Sequence, residues 1–211
     1  MTRVLIADDH PIVRKGLREL VAGESDMTVA AETGDGLEVL RLVESGQYDV
    51  VILDIGMPGI SGLEVLSRIV PLYPALPVLV LSGYPETELA VRTIKAGAAG
   101  YLNKEMAPEE LVVAIRRVIT GRRYVSPVVA ELLAGFVGDV VESPHLLLSD
   151  REYQVMMLLS MGRTVSEIAA EIQLSVKTVS TYRSRVLEKM NLKNNAELML
   201  YAIRNNLVAR V

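Results

Sequence analysis

The sequence predicts an α/β domain built on a parallel sheet, followed by a small all-α domain. Three observations carry this. Short runs of Val, Ile and Leu alternate with amphipathic stretches as far as Gly121. Beyond Gly121 that alternation stops. From Ser149 onward the pattern is helix and turn only.

Residues 4–7, 29–31, 50–53 and 78–81 read as buried strands, and 100–102 as a shorter fifth. Each is brief, aliphatic and bounded by Asp, Gly or Pro. Helices are expected at 13–21, 37–44, 63–70, 88–95 and 109–119. Ser61-Gly62-Leu63-Glu64 has the spacing of a capping box, and Pro85 and Pro108 stand where first-turn prolines belong. Five βα units in alternation imply a parallel sheet covered on both faces. Residues 128–136 read as helix, and 138–144, with Gly, acids, Ser and Pro, as linker. Further capping boxes start at Ser149 and Thr164. The expected domains are 1–121 and 148–211, joined by a partly helical linker, 122–147. No internal repeat or low-complexity tract interrupts this order.

A chain of 211 residues accommodates two small domains. No apolar run approaches the roughly 18 to 20 residues that span a bilayer. The N-terminus meets Asp8-Asp9 before any signal-peptide core, so a cytoplasmic protein without membrane contact is expected. The absence of cysteine excludes disulfides and thiolate metal sites. Two histidines, His10 and His145, argue against zinc. The net charge of −4 is unevenly spread: from Leu146 to Val211 there are nine Lys and Arg against six Asp and Glu. An acidic first part joined to a basic second part suggests two tasks.

The chemistry gathers at the strand ends. The first strand runs into Asp8-Asp9, the third into Asp54, the fourth into Ser82, and the fifth stops just short of Lys104. In open parallel sheets ligands bind at the carboxyl ends of the strands, near the switch point. Three acids, a hydroxyl and an ammonium should therefore converge. Clustered carboxylates repel unless a cation compensates. An oxygen-only set favours a hard ion, and Mg2+ fits. Asp54, isolated and followed by the turn Gly56-Met57-Pro58-Gly59, is the expected nucleophile. Lys104 would pair with a product phosphate and Ser82 would donate to it.

In this order, Asp8-Asp9, Asp54 with Met57-Pro58, Ser82, and Gly100-Tyr101 ahead of Lys104 resemble the receiver domain of bacterial response regulators. The resemblance implies a flavodoxin-like doubly wound (βα)5 fold. It also implies phosphorylation of Asp54 from a sensor histidine kinase. Mg2+ would be held by Asp8, Asp9, Asp54 and the carbonyl of Gly56. Ser82 and Tyr101 would form a switch in which Tyr101 turns inward on phosphorylation. Gly56 and Tyr84 depart from common family choices, and the phosphate lifetime is expected to depend on them.

In the second part, helices at 165–172 and 176–190 flank Gln173-Leu174-Ser175, the short break of a helix-turn-helix. Ser175 can cap the second helix. Val176, Val179, Val186, Leu187 and Met190 are its expected inward stripe. Lys177, Ser180, Thr181, Ser184 and Arg185 fall largely on other faces, which suits a helix laid in a major groove. This segment, with Leu148–Glu152 and Val186–Met190 patterns around it, is similar to the LuxR-type helix-turn-helix, and the whole chain resembles the NarL/FixJ response regulators. By that resemblance Ser180, Thr181 and Ser184 face bases, and Lys177, Arg183, Arg185, Lys189 and Lys193 contact phosphate or groove. Ser180 stands where the family often has Lys, and Tyr182 where it often has His. The last helix, near 196–205, would serve dimerisation. The implied partners are a sensor histidine kinase, double-stranded promoter DNA, a second copy of the chain when phosphorylated, and RNA polymerase.

Other classes fit less well. Gly34-Asp35-Gly36 lacks the third glycine of a dinucleotide fingerprint and does not follow the first strand. A phosphatase of the haloacid dehalogenase type needs an acid where Gly56 stands. The expectation is a regulator without turnover of an external substrate. The alternative is a phosphorylation-independent DNA-binding protein with a vestigial receiver.

Overall fold

The computed structural model describes residues 1–57, 60–83, 88–105, 108–135, 144–205 and 207–208. Pro58, Gly59, Tyr84, Pro85, Phe136 and the linker stretch 138–143 lie outside them. The chain divides into two compact units, Met1–Ala134 and Gly135–Val211.

The first unit alternates strand and helix: β1 (Thr2–Ala7), α1 (Pro11–Ala22), β2 (Met27–Thr33), α2 (Gly36–Ser45), β3 (Val50–Asp54), α3 (Gly62–Leu72), β4 (Val78–Ser82), α4 (Glu88–Lys95), β5 (Gly100–Asn103) and α5 (Pro108–Val118). The five strands are parallel in the order β2-β1-β3-β4-β5. This is the flavodoxin-like order, with its switch point between β1 and β3. β2 starts earlier than the aliphatic run suggested, because Met27 and Thr28 pair with Thr2 and Arg3.

Period-2 alternation divides the sheet between two cores. Val4, Ile6, Val50, Ile52, Leu79, Leu81 and Leu102 pack with α1 and α5. Leu5, Val51, Leu53, Val80 and Tyr101 alternate with them and are also buried. The helices start as their sequences dictate. Asp35 accepts from the N–H groups of Leu37 and Glu38, and Ser61 from Glu64 at 3.2 Å. The Glu64 carboxylate turns instead to Arg68 at 2.5 Å, so only half of the expected box forms there. Pro108 opens α5 as expected.

Gly62 is the glycine the site requires most. A Cβ there would sit 2.0 Å from the Asp54 carbonyl oxygen. The start of α3 thus rests directly on the end of β3. Past α5, Tyr124 N donates to the Ala99 carbonyl at 2.9 Å, and Val129 of α6 (Pro127–Gly135) is buried.

Among the described residues of the second unit a short 3-10 turn, Pro144–Leu147, precedes α7 (Asp150–Ser160), α8 (Val165–Glu171), α9 (Val176–Lys189) and α10 (Asn195–Arg204). Ser149–Glu152 and Thr164–Glu167 both form complete capping boxes. Between α8 and α9 Gln173 adopts φ 51°, and Leu174 N reaches back to the Ala169 carbonyl at 2.9 Å. That left-handed residue closes α8 and turns the chain sharply. Ser175 then caps α9 by accepting from Thr178 N at 3.0 Å. Val179, Val186 and Met190 are buried, but Val176 is 51% exposed. As the first residue of α9 it lies before the turn that meets the core. His145 is buried against Tyr153 and Tyr201 and hydrogen-bonds the Tyr201 hydroxyl.

Candidate functional site

The sheet brings the acids of β1 and β3 together because these strands are hydrogen-bonded neighbours at the switch point. Asp8 follows directly from β1, its N–H donating to Thr33 at 3.0 Å. Asp54 is the last residue of β3. Both are buried, and Asp9 is half-buried. Ser82 ends β4, one residue beyond the register partner of Asp54, and is fully buried.

Lys104 closes the arrangement. Its backbone N–H donates to the Ser82 carbonyl at 2.8 Å. Its ammonium lies 2.7 Å from Asp8 Oδ2 and 2.9 Å from Asp54 Oδ2. Lys104 therefore ties three strand ends together, those of β1 and β3 through its ammonium and that of β4 through its backbone N–H. Burial pushes the Asp54 carboxyl above the usual aspartate range, the Asp8 charge adds to this, and Lys104 opposes both. Burial lowers the Lys104 ammonium, yet Asp54 and Asp8 outweigh it and the net shift is upward. The lysine stays charged, while the acids remain short of positive charge.

A cation answers that deficit. Ligand atoms of Asp8, Asp9, His10 and Asp54 all lie within 4.8 Å of one another. Three carboxylates without thiolate suit a hard, oxygen-seeking dication such as Mg2+. Gly56 lies beside Asp54, its N–H donating to Asp54 Oδ1 at 3.1 Å. Tyr101, the register partner of Val80, is 0% exposed and so occupies the inward position.

Two residues near the site escaped the sequence reading. His10, which the sequence analysis weighed only against zinc, caps α1 by backbone geometry and places Nδ1 2.7 Å from Asp9 Oδ1. Its signal was its place directly after the acid pair. Arg14 donates through Nη1 to the Asp8 carbonyl. A basic residue one turn into the helix that leaves the site was the available clue.

In the second unit α9 exposes Lys177, Ser180, Thr181, Ser184 and Arg185 together. Lys177, Thr178, Thr181, Tyr182 and Arg185 line a surface hollow of about 310 Å³. The Thr181 and Ser184 hydroxyls donate back to the carbonyls of Lys177 and Ser180, at 3.0 and 3.1 Å. Arg183 points elsewhere and donates to Asn195 Oδ1 at 2.7 Å, tying α9 to α10. Lys193 is exposed beyond α9.

Lys189 also has an internal partner. Its ammonium lies 2.6 Å from Glu152 Oε2 on α7, the same carboxylate that accepts from Ser149 N at 2.8 Å. Burial alone would raise the Glu152 carboxyl, but Lys189 and the Ser149 N–H outweigh it and hold it low. Stability from this carboxylate is therefore full above its unfolded value, near 4.5, and is lost as pH falls through the folded value. Lys189→Ala should cost the second unit about 1–2 kcal/mol at neutral pH, allowing for the partly exposed ammonium. Denaturant midpoints of the full chain would read this, with the deficit shrinking once the carboxyl is protonated. An equal deficit at both pH values would exclude the ion pair as its source.

Among the described residues no helix is long and apolar enough to cross a membrane. Residues 4–116 match the response regulator receiver domain, and residues 146–202 match the bacterial regulatory proteins of the luxR family. The chain is similar to the response regulator UvrY of Escherichia coli strain K12, at 37% identity over 98% of this chain and 96% of that one. It is similar to the response regulator GacA of Pseudomonas aeruginosa, at 38% identity over 99% and 98%. Among solved structures it resembles RcsB of Salmonella enterica serovar Typhimurium, bound to promoter rprA in the presence of phosphomimetic BeF3-. That match has a TM-score of 0.66 and 27% identity, over 95% of this chain and 97% of that one. The chain thus belongs to the NarL/FixJ family of two-component response regulators, transcription regulators in which a receiver domain is joined to a DNA-binding, LuxR-type helix-turn-helix domain.

Proposed function

We propose that Asp54 accepts a phosphoryl group from the phosphohistidine of a sensor kinase, and that the aspartyl phosphate promotes dimerisation and promoter binding. The observation that carries this is the clamp of Lys104 on Asp8 and Asp54. A carboxylate oxygen of Asp54 attacks phosphorus in line. The phosphorus–nitrogen bond to the kinase histidine breaks as the new phosphorus–oxygen bond forms, and the proton balance is restored on the departing imidazole. Asp8, Asp9, Asp54 and the Gly56 carbonyl would hold Mg2+, which neutralises phosphoryl oxygens when bound. Lys104 then moves its charge from Asp54 to the phosphate, and the Ser82 hydroxyl donates to it. The buried Tyr101 fits the inward half of such a switch.

The receiver would span 1–121, the connecting segment 122–147 and the DNA-binding domain 148–211, in a cytoplasmic protein that turns over no external substrate. Lys177, Arg185 and Lys193 would meet phosphate or groove, Arg183 and Lys189 would do so only by leaving Asn195 and Glu152, and Ser180, Thr181 and Ser184 would face bases. Leu200 of α10, 47% exposed, offers an apolar contact for a second copy. The phosphomimetic and promoter in the RcsB structure, and the RcsB dimers on DNA in a second, support the reading by analogy. Two recognition helices on half-sites roughly one helical turn apart would bind in concert, and RNA polymerase would read the outcome.

The test is incubation with a small acyl phosphate and Mg2+, read by intact mass and size-exclusion chromatography. One added phosphoryl group with a shift to dimer is expected. No uptake from that donor or from candidate kinases would turn the reading toward phosphate-independent DNA binding.

A further inference from the structure

We propose that Arg14 is a positioning residue for the acid pair, setting how well Asp8 and Asp9 bind Mg2+. The inference rests on the reading of the acid cluster given above.

Asp8 stands where β1 leaves the sheet. Its N–H is still in the ladder, donating to Thr33. Its carbonyl falls at the edge, where Asp35 N has turned away to the Thr33 hydroxyl. Arg14 Nη1 donates to that carbonyl from the first turn of α1. Arg14 N accepts its own place in the helix by donating to the His10 carbonyl at 3.0 Å. Arg14 therefore holds both ends of the Asp8-Asp9-His10 turn, the Asp8 carbonyl through its guanidinium and the His10 carbonyl through its backbone N–H. The Asp8 carboxylate is fixed from within as well, Oδ1 receiving His10 N at 2.8 Å.

Room for the guanidinium comes from Gly34. A Cβ at that residue would stand 3.0 Å from Arg14 Nη1, 3.3 Å from Asp9 Cα and 3.4 Å from the Asp8 carbonyl oxygen. The β2–α2 connection is thus shaped to let Arg14 reach the backbone of the acid pair. Groups that orient metal ligands in this way commonly alter affinity without touching the ion.

Two effects of Arg14 oppose each other, and this makes the test sharp. Its positive charge repels a dication, so loss of charge alone would tighten Mg2+ binding. Its hydrogen bond orders the ligands, so loss of that bond weakens binding. A buried-side carbonyl contact is screened less than a long-range charge effect through solvent, and ordering should win.

The experiment is calorimetric titration of Mg2+ into the full chain, as wild type, Arg14→Ala and Arg14→Lys, with no phosphodonor, beside thermal melts in chelator. Arg14→Ala should bind Mg2+ about tenfold more weakly, with a melt close to wild type, and Arg14→Lys should recover most of the loss. Unchanged or tighter binding in Arg14→Ala would overturn the proposal. So would equal loss in both variants that follows a lowered melt, since the role would then be stability alone. A wild type that binds no Mg2+ would overturn the reading of the acid cluster, and this inference with it.

Discussion

Asp54→Asn is expected to abolish phosphoryl uptake while leaving a protein that, in chelator, melts no lower than wild type. The first outcome follows from chemistry: an amide oxygen is a far weaker nucleophile than a carboxylate, and the acceptor lies alone at the end of β3. The second follows from electrostatics. Burial, then Asp8, push the Asp54 carboxyl upward against the pull of Lys104. A group whose folded value is raised contributes stability below its unfolded value, near 3.8, and loses it as pH rises through the folded value. Above its folded value the ionised Asp54 is thus a net cost, and the neutral amide removes it. Lys104 keeps Asp8 as a partner at 2.7 Å. The melting advantage of Asp54→Asn should grow as pH rises through the folded Asp54 value and vanish in acid. Mg2+ should reverse the ranking, since a dication stabilises the chain that binds it better. Intact mass after acyl phosphate treatment and melts with and without Mg2+ read all three outcomes. A variant that still gained a phosphoryl group would move the acceptor away from Asp54.

Why is this acid cluster legible in the sequence? A parallel sheet forces strand ends to one edge, so Asp8, Asp54, Ser82 and Lys104 converge once the strands are placed. Their order along the chain sufficed. Side-chain partnerships set by helix packing were not legible in the same way. Arg14 and Asp8 are only six apart, yet their contact depends on how α1 leaves the sheet and on the space above Gly34. Glu152 and Lys189 lie 37 residues apart, and nothing in either local pattern announces the other. The sequence therefore placed Lys189 among the outward bases, although its ammonium also braces α7 against α9. Val176 was misplaced for a simpler reason. A helical period assigns faces but not depth, and the first turn of α9 projects past the core. Gly62 marks the same limit from the other side. Its glycine is required by a backbone approach that no periodicity reports.

Lys177→Ala with Arg185→Ala should weaken binding to every DNA sequence by on the order of 10- to 100-fold at moderate salt, and flatten the salt dependence by about two phosphate contacts. Both residues are exposed on α9 and flank the same hollow with Thr181 and Tyr182. Among the described residues neither enters an ion pair within the second unit, whereas Lys189 and Arg163 do. Each cation that meets a phosphate releases counterions, so its loss appears in the slope against salt as well as in affinity. Sequence preference should survive, because it resides elsewhere on the helix. The Thr181 and Ser184 hydroxyls already donate to helix carbonyls. Toward a groove they present acceptor lone pairs, which match the amino groups of cytosine and adenine. Thr181→Val should accordingly change which sequences are preferred while leaving the salt slope intact. Titrations of the two variants against matched and scrambled duplexes at several salt concentrations separate these effects. A double variant with wild-type affinity and slope would take α9 out of the groove.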